Sequence, residues 1–399
     1  MPKLRQVFYL PGFDPREPEA YWGLLRRESR LTAGRRGMTL AVGDPVRSAD
    51  GLSLDWTIER IEDGAATRIR YALLRWDDIV RTRFPRSDLR RLIAIPRLWW
   101  RLWKSGYLRA FRSEAWQFST VIFVVHLLYA GLVGLSLALA GLLVAALPLG
   151  DGAALLRWVL LLPAAYGILG LLTRFTKGRP FFITHLVDDA AFTHEHASGD
   201  DQDMQARLDA WAERIHAAES EASEIVIIGH SSSSFLALEA LDRVLTHDPG
   251  FGSRGVPVTL VTLGGVIPWI TLDPQAEATR HAVLRIASTE TIGWLDLRAP
   301  WDWLSIHLRS PVASVDPASV KPNRPMIRSI RIADLIEPST VATLRWNFFR
   351  MHFQLLMSSR ERTAFDYIAL ISGAEPVHRA VEAIEESPVH VASGPPPAA

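Results

Sequence analysis

Two long apolar runs joined by a three-residue polar turn restrict this chain more than any other feature. Phe118 to Leu149 is almost unbroken apolar sequence and exceeds the roughly 20 residues a helix needs to cross a bilayer. Gly150-Asp151-Gly152 then makes a tight turn. Ala153 to Leu172 is a second run of spanning length, and its one charge, Arg157, sits near the turn, where it can snorkel. A transmembrane helical hairpin over 118–175 is therefore expected. His126 interrupts the first run. A lone histidine satisfied by the neighbouring helix is the ordinary reading, because polar side chains hold helices together in lipid, and an intramembrane functional group is the alternative. The flanks orient the hairpin. Arg101, Lys104, Arg109 and Arg112 precede it and Arg174, Lys177 and Arg179 follow it, against no cation in the turn. Positive flanks stay inside, which places both ends of the hairpin and the domain they join on the cytoplasmic side of a multi-pass membrane protein.

Composition narrows the rest. Zero cysteines among 399 residues exclude a disulfide framework, a thiolate metal site and a cysteine nucleophile. A formal charge of +1 provides no global field for nucleic acid, so none is expected as a partner. No signal peptide is expected at the start, where Lys3 and Arg5 precede only a short apolar run ended by Pro11 and Gly12.

Along the chain, Gln6 to Leu10 reads as a buried strand ending in the Pro11-Gly12-Phe13 turn, with a helix near Glu19 to Arg30 and a second strand at Thr39 to Val42. Leu52 to Ile61 and Thr67 to Leu74 alternate around Asp63-Gly64, as an antiparallel hairpin does, and read as a decoration on the core. Arg81 to Arg112 interleaves Arg90, Arg91, Arg97, Arg101, Lys104, Arg109 and Arg112 with Trp99, Trp100, Trp103 and Phe111. Such a segment suits a helix in the headgroup region, the alternative being a solvated basic helix that packs its tryptophans on the core. His185, Asp188, Asp189, His194, Glu195, His196, Asp200 and Asp201 lack the H-E-x-x-H spacing of a metal site, and Thr193 to Asp201 reads as a solvated loop, so no metal is assigned. Asp203 to Glu219 predicts an amphipathic helix. Strands are expected at Val256 to Leu263, Ala282 to Ile286, Gly293 to Leu297 and Ile327 to Ile332, and a disordered tail at Ser393 to Ala399.

The chemistry gathers at Glu224 to Leu241. A β-branched apolar run, Ile225 to Ile228, leads through Gly229-His230-Ser231-Ser232-Ser233 into apolar residues at helical spacing, giving strand, sharp turn and helix with Ser231 at the corner. A serine held there stands clear of the sheet and needs small residues two positions to either side, here Gly229 and Ser233. The other reading is a serine-rich loop capping a helix. A serine nucleophile needs a base, and the base needs an acid to fix its tautomer. Asp302 and Asp296 are candidate acids, and His352 and His307 candidate bases.

In the order serine, acid, histidine, the chain resembles the α/β-hydrolase fold, with Ser233 replacing the last glycine of G-x-S-x-G. The resemblance covers the two ends of the chain and not the membrane segment. It implies a mostly parallel α/β sheet flanked by helices, Ser231 as nucleophile, Asp302 and His352 completing a triad, and an oxyanion hole made by Ser232 and by Phe13 beside Gly12. It implies no cofactor. The expected organisation is 1–84 and 176–390 forming the hydrolase core, 85–117 interfacial, 118–175 the hairpin, and 391–399 the tail. The expected activity is a membrane-anchored serine hydrolase acting on an ester, thioester or amide of a lipid-like or acyl substrate. A catalytically inactive scaffold binding a partner at the membrane is the alternative; a channel or transporter is disfavoured by two helices nearly free of ionisable groups.

Overall fold

The expected first strand runs Lys3–Leu10 (β1) in a computed structural model that describes residues 3–62, 65–104, 108, 115–176, 182–360 and 365–380. After it come helix α1 (Glu19–Arg36) and strands β2 (Thr39–Val42), β3 (Val46–Arg47), β4 (Ser53–Glu62) and β5 (Ala65–Leu74). Helices α2 (Asp77–Arg83) and α3 (Asp88–Lys104) lead to the two apolar helices, α4 (Trp116–Ala145) and α5 (Ala154–Thr176). Then α6 (Ile183–His196) and α7 (Gln202–Ala217) bring the chain to β6 (Glu224–His230). Next are α8 (Ser233–His247), β7 (Val258–Leu263), α9 (Ile267–Thr271), α10 (Glu277–Ser288), β8 (Ile292–Arg298) and β9 (Met326–Ser329). Short helices α11 (Ile332–Leu335), α12 (Pro338–Leu344), α13 (Phe348–His352), α14 (Tyr367–Ser372) and α15 (Val377–Ala380) follow.

The result is a mixed α/β architecture around one nine-stranded sheet in the order β2-β4-β5-β1-β6-β7-β8-β9, with β3 paired to β4. From β5 to β9 every pairing is parallel. β1 and β6 are neighbours although the whole stretch from Arg75 to Ser223 lies between β5 and β6. Side-chain alternation on β1 divides the core into two layers. Phe8 and Leu10 pack with Ile225, Ile227 and α8 on one face, while Val7 and Tyr9 pack with Val226, Ile228 and α14 on the other. All of β6 is buried, as a central parallel strand requires.

Several expectations are corrected. The β4–β5 hairpin is antiparallel as its alternation implies, yet it is no decoration: β5 pairs residue by residue with β1, from Lys3–Thr67 to Tyr9–Leu73. The cue was the continuous apolar end of β5, Tyr71 to Leu74, buried on both faces. Ala282 to Ile286 is helical, because Ala282, Val283, Ile286 and Ala287 recur at helical spacing and are the buried face of α10. The last strand stops at Ser329 and Ile332 opens a helix. Thr193 to His196 is the last turn of α6, not loop, with His194 and His196 buried. The Asp63-Gly64 turn, Arg109, Phe111 and Arg112, the Lys177-Gly178-Arg179-Pro180 flank and the Ser393–Ala399 tail lie outside the described residues.

The apolar helices are long enough to cross a membrane by length and composition, and most of their surface is uncovered: Leu142, Leu155, Trp158, Leu162 and Leu171 are exposed. α4 is about 45 Å long at the usual rise, and its first half packs on α6 through Val121, Val125 and Tyr129. His126 bonds the Ile122 carbonyl of its own helix at 2.7 Å and meets the edge of Trp99, so its partners are its own backbone and α3 rather than α5.

One buried network holds the apolar helices to the rest. Arg91 of α3, 3% exposed, donates to Asp88 at 2.9 Å and to both oxygens of Asp188 of α6 at 2.9 and 2.7 Å. Asp88 also accepts from Tyr129 of α4 at 2.9 Å and from Thr173 of α5 at 3.0 Å. Arg91 is thus no solvated headgroup cation, although Trp100 and Trp103 on the same helix are exposed. Removing one member of a buried ionic network leaves its partners charged and unpaired. Arg91→Ala should therefore destabilise the protein by about 3–5 kcal/mol, read as a lowered thermal midpoint, whereas Arg90→Ala on the exposed face should not.

Candidate functional site

Ser231 follows the last residue of β6 and has φ 57°, a left-handed backbone that costs a serine energy and persists only where its surroundings impose it. The surroundings do so from three sides. Its N–H donates to the Leu263 carbonyl at 3.1 Å, and its carbonyl accepts from Ser234 N at 2.9 Å. A Cβ on Gly229 would lie 2.5 Å from the Ser233 carbonyl oxygen and 2.8 Å from Ala237 Cβ, so α8 can pack on β6 only if that residue is glycine. A Cβ on Gly12 would lie 2.9 Å from Ser231 Cβ. The loop after β1 therefore touches the corner closely. Ser233, where the motif has glycine, is fully buried and donates its hydroxyl to the Pro11 carbonyl, which also accepts from Trp76 Nε1 at 2.8 Å. The departure from the motif thus supplies a tie between the corner and the Gly12 loop.

The loops after β8 and β9 carry the charged pair. Asp302, 1% exposed, accepts from His352 Nδ1 at 2.6 Å and from Leu304 N at 3.0 Å. His352 ends α13, and its Nε2 is buried with no hydrogen-bond partner among the described residues. Gly264, with φ 54°, leaves room for it: a Cβ there would lie 3.2 Å from His352 Cε1. Asp296 is engaged elsewhere, accepting from Arg298 Nε at 2.6 Å and Thr262 Oγ1 at 2.7 Å. His307 offers its carbonyl to Arg298 and does not line the cavity that holds Ser231. That cavity, of about 1000 Å³, is lined by Gly12, Phe13, Ser231, Ser232 and His352 together.

Three side chains at the candidate site escaped sequence reasoning. His230, directly before Ser231, stacks on His352 with centroids 4.6 Å apart and planes 14° apart, and its Nδ1 lies 3.2 Å from the Tyr9 hydroxyl. Burial, then the charge of His352, push its pKa well below the usual imidazole value. His185 of α6 lies edge-on to Phe13, and burial lowers it to about 4. Asp189 accepts from Ser232 Oγ at 2.9 and 3.0 Å and lines the cavity. Desolvation raises it to about 7, against the hydroxyl bond and the His352 charge. For the two on α6 the signal was the acidic and histidine-rich run after the apolar segment, whose helical period places His185, Asp188, Asp189 and Phe192 on one side of the helix.

The Ser231 hydroxyl, at a strained corner, thus shares a cavity with an imidazole whose other nitrogen is fixed by a buried carboxylate. Such a set can deprotonate an alcohol and return the proton to a leaving group. Compared with known proteins, the chain matches no family model, no curated protein and no solved structure.

Asp189 gives a pH dependence. Its folded pKa is raised above the unfolded value, so the stability it contributes is complete below about pH 4 and is lost as pH rises through about 7. Relative to the wild type, Asp189→Asn should gain stability on the order of 3–4 kcal/mol between about pH 4 and pH 8. Denaturation of both proteins across that range checks this, and parallel curves would refute it.

Proposed function

We propose that the chain is a membrane-anchored serine hydrolase of the α/β-hydrolase kind, cleaving an ester, thioester or amide of a lipid-like or acyl substrate. The observation that carries this reading is Ser231 in left-handed backbone between β6 and α8, on one cavity with a histidine bonded at 2.6 Å to buried Asp302. The parallel strand order supports it too, because Gly12, Ser231, Gly264, Asp302 and His352 all follow the carboxyl ends of adjacent strands.

In this mechanism Ser231 Oγ attacks the carbonyl carbon while His352 Nε2 takes its proton. Asp302 holds Nδ1–H, which fixes the tautomer and stabilises the imidazolium. The oxyanion is received by the backbone N–H groups of Ser232 and Phe13, with Gly12 allowing the approach. His352 then protonates the leaving group as the carbon–leaving-group bond breaks. Water, deprotonated by the same imidazole, releases the acid from the acyl-enzyme and restores Ser231.

Ser231→Ala should abolish fluorophosphonate labelling and ester turnover in a protein that still folds. His352→Ala and Asp302→Asn should each lower turnover by up to about four orders of magnitude, with His307→Ala mild. Labelling that survives in Ser231→Ala would sink the nucleophile, and a His307→Ala loss equal to that of His352→Ala would move the base. No labelling of the wild type would favour a scaffold without activity.

The membrane part of the reading rests on the exposed apolar surface of α4 and α5 and on the positive flanks, which favour a cytoplasmic catalytic domain. The absence of cysteine makes the test clean. In intact cells Asp151→Cys should react with an impermeant thiol reagent and Thr176→Cys should not; the opposite pattern would overturn the orientation.

A further inference from the structure

One wall of the cavity beneath Ser231 belongs to the first apolar helix. Phe118 and Ile122 of α4 line it with Leu186, Trp269, Leu304 and Phe349. Phe118 meets Trp269 edge-on at 5.5 Å, so this wall is continuous with α9, which follows β7. One residue beyond Ile122, Phe123 is 55% exposed, and Leu127 is 59% exposed one turn on. At a single level, then, α4 turns one apolar face to the cavity and another outward. The rim beside it is aromatic as well: Trp116 packs on Trp303 at 5.6 Å, Trp303 stacks on Phe348 at 6.1 Å, and Phe349 belongs to the cavity. Trp346, at the same end of α13, is 67% exposed. Exposed tryptophans of this kind settle at the level of lipid headgroups.

A small soluble ester needs neither this volume, at the top of the usual range for ligand pockets, nor a wall made from a bilayer-spanning helix. An acyl chain needs both. Its methylenes leave hydrocarbon for an apolar cavity without crossing water, so little is lost on entry if the chain passes beside α4 at the depth where Phe123 and Ile122 share a turn. Charged lining residues lie off α4, among them Asp14 and Arg16 after β1, Asp189 on α6 and Arg350 in α13, and suit the polar end of the same molecule.

We infer that this cavity takes one acyl chain of a bilayer lipid, entering beside α4, with Phe118 and Ile122 as the wall that sets chain length. The inference rests on the ester-cleaving reading of Ser231 and deepens it. Its test compares nitrophenyl palmitate with nitrophenyl acetate on protein reconstituted in phosphatidylcholine vesicles. Ile122→Trp should lower the palmitate-to-acetate ratio of turnover by roughly fourfold for each methylene excluded, and Ile122→Ala should not lower it. Phe123→Trp, on the outward face, should leave the ratio unchanged. Equal ratios in Ile122→Trp and Phe123→Trp overturn the inference. A second readout needs no hydrolysis: Ser231→Ala protein in the same vesicles and in detergent is titrated with a fluorescent polyene fatty acid. Weaker binding once Ile122→Trp is added supports the inference, and equal binding overturns it. Binding that depends on Ile122 in a wild type that cleaves no ester supports the cavity assignment while overturning the hydrolase reading, so the two failures are distinguishable.

Discussion

Arg91, held between Asp88 and Asp188, is the contact on which the arrangement of the inserted segment turns. Its guanidinium is almost wholly buried, and burial of a charge is tolerated only when the charge is paired and fully bonded. The bidentate geometry to Asp188 fixes α6 in rotation, not only in distance. Rotation matters because the next residue is Asp189, whose carboxylate receives Ser232. Asp88 meanwhile binds a hydroxyl from each apolar helix. One ionic network therefore sets both the seat of the hairpin and the helix that faces the Ser231 corner. A hydrophobic contact of equal area would hold the helices together, but being non-directional it would not specify which face α6 presents.

The Ser231 corner depends on a second convergence, at the Pro11 carbonyl. Trp76 and Ser233 both donate to it, one from the end of the β5 segment and one from the first turn of α8. β1 is flanked on both sides by parallel neighbours, so its end is a fixed point, and the two bonds reference the corner to that point. The length of the connection between β5 and β6 does not disturb this. Closure entropy grows only with the logarithm of loop length, and the inserted segment has its own packing on the core.

Local patterns were legible where one period dominated. Ile225 to Ile228 with Gly229, and the apolar runs, gave strand, corner and hairpin within a few residues of where they lie. His352 and Asp302 could be named from chain order, and the structure brings them to hydrogen-bond distance. What could not be read were features that exist only across the fold. The parallel pairing of β5 with β1 hides behind its antiparallel pairing with β4, since one strand has two edges and alternation reports only faces. Charged residues misled for the same reason: Arg91, His194 and His196 look solvated in sequence and are buried because their partners, Asp188, Asp273 and Glu239, come from distant segments.

His230 shows how the site can hold two imidazoles in contact. Rings 4.6 Å apart in a buried, stacked arrangement cannot both carry charge at acceptable cost, since like charges at that distance repel strongly in a poorly solvated site. The two rings differ in their partners. His352 has the Asp302 carboxylate at Nδ1, whereas His230 has only the Tyr9 hydroxyl. Burial and the neighbouring ring both depress His230, so it stays a neutral, flat support for the ring beside it. A large aliphatic residue at that position would fill space, but it would lack the planar face that sets the tilt of His352, and with it the direction of the Nε2 lone pair. In the proposed cycle that direction decides whether the proton taken from Ser231 can be passed on to the leaving group.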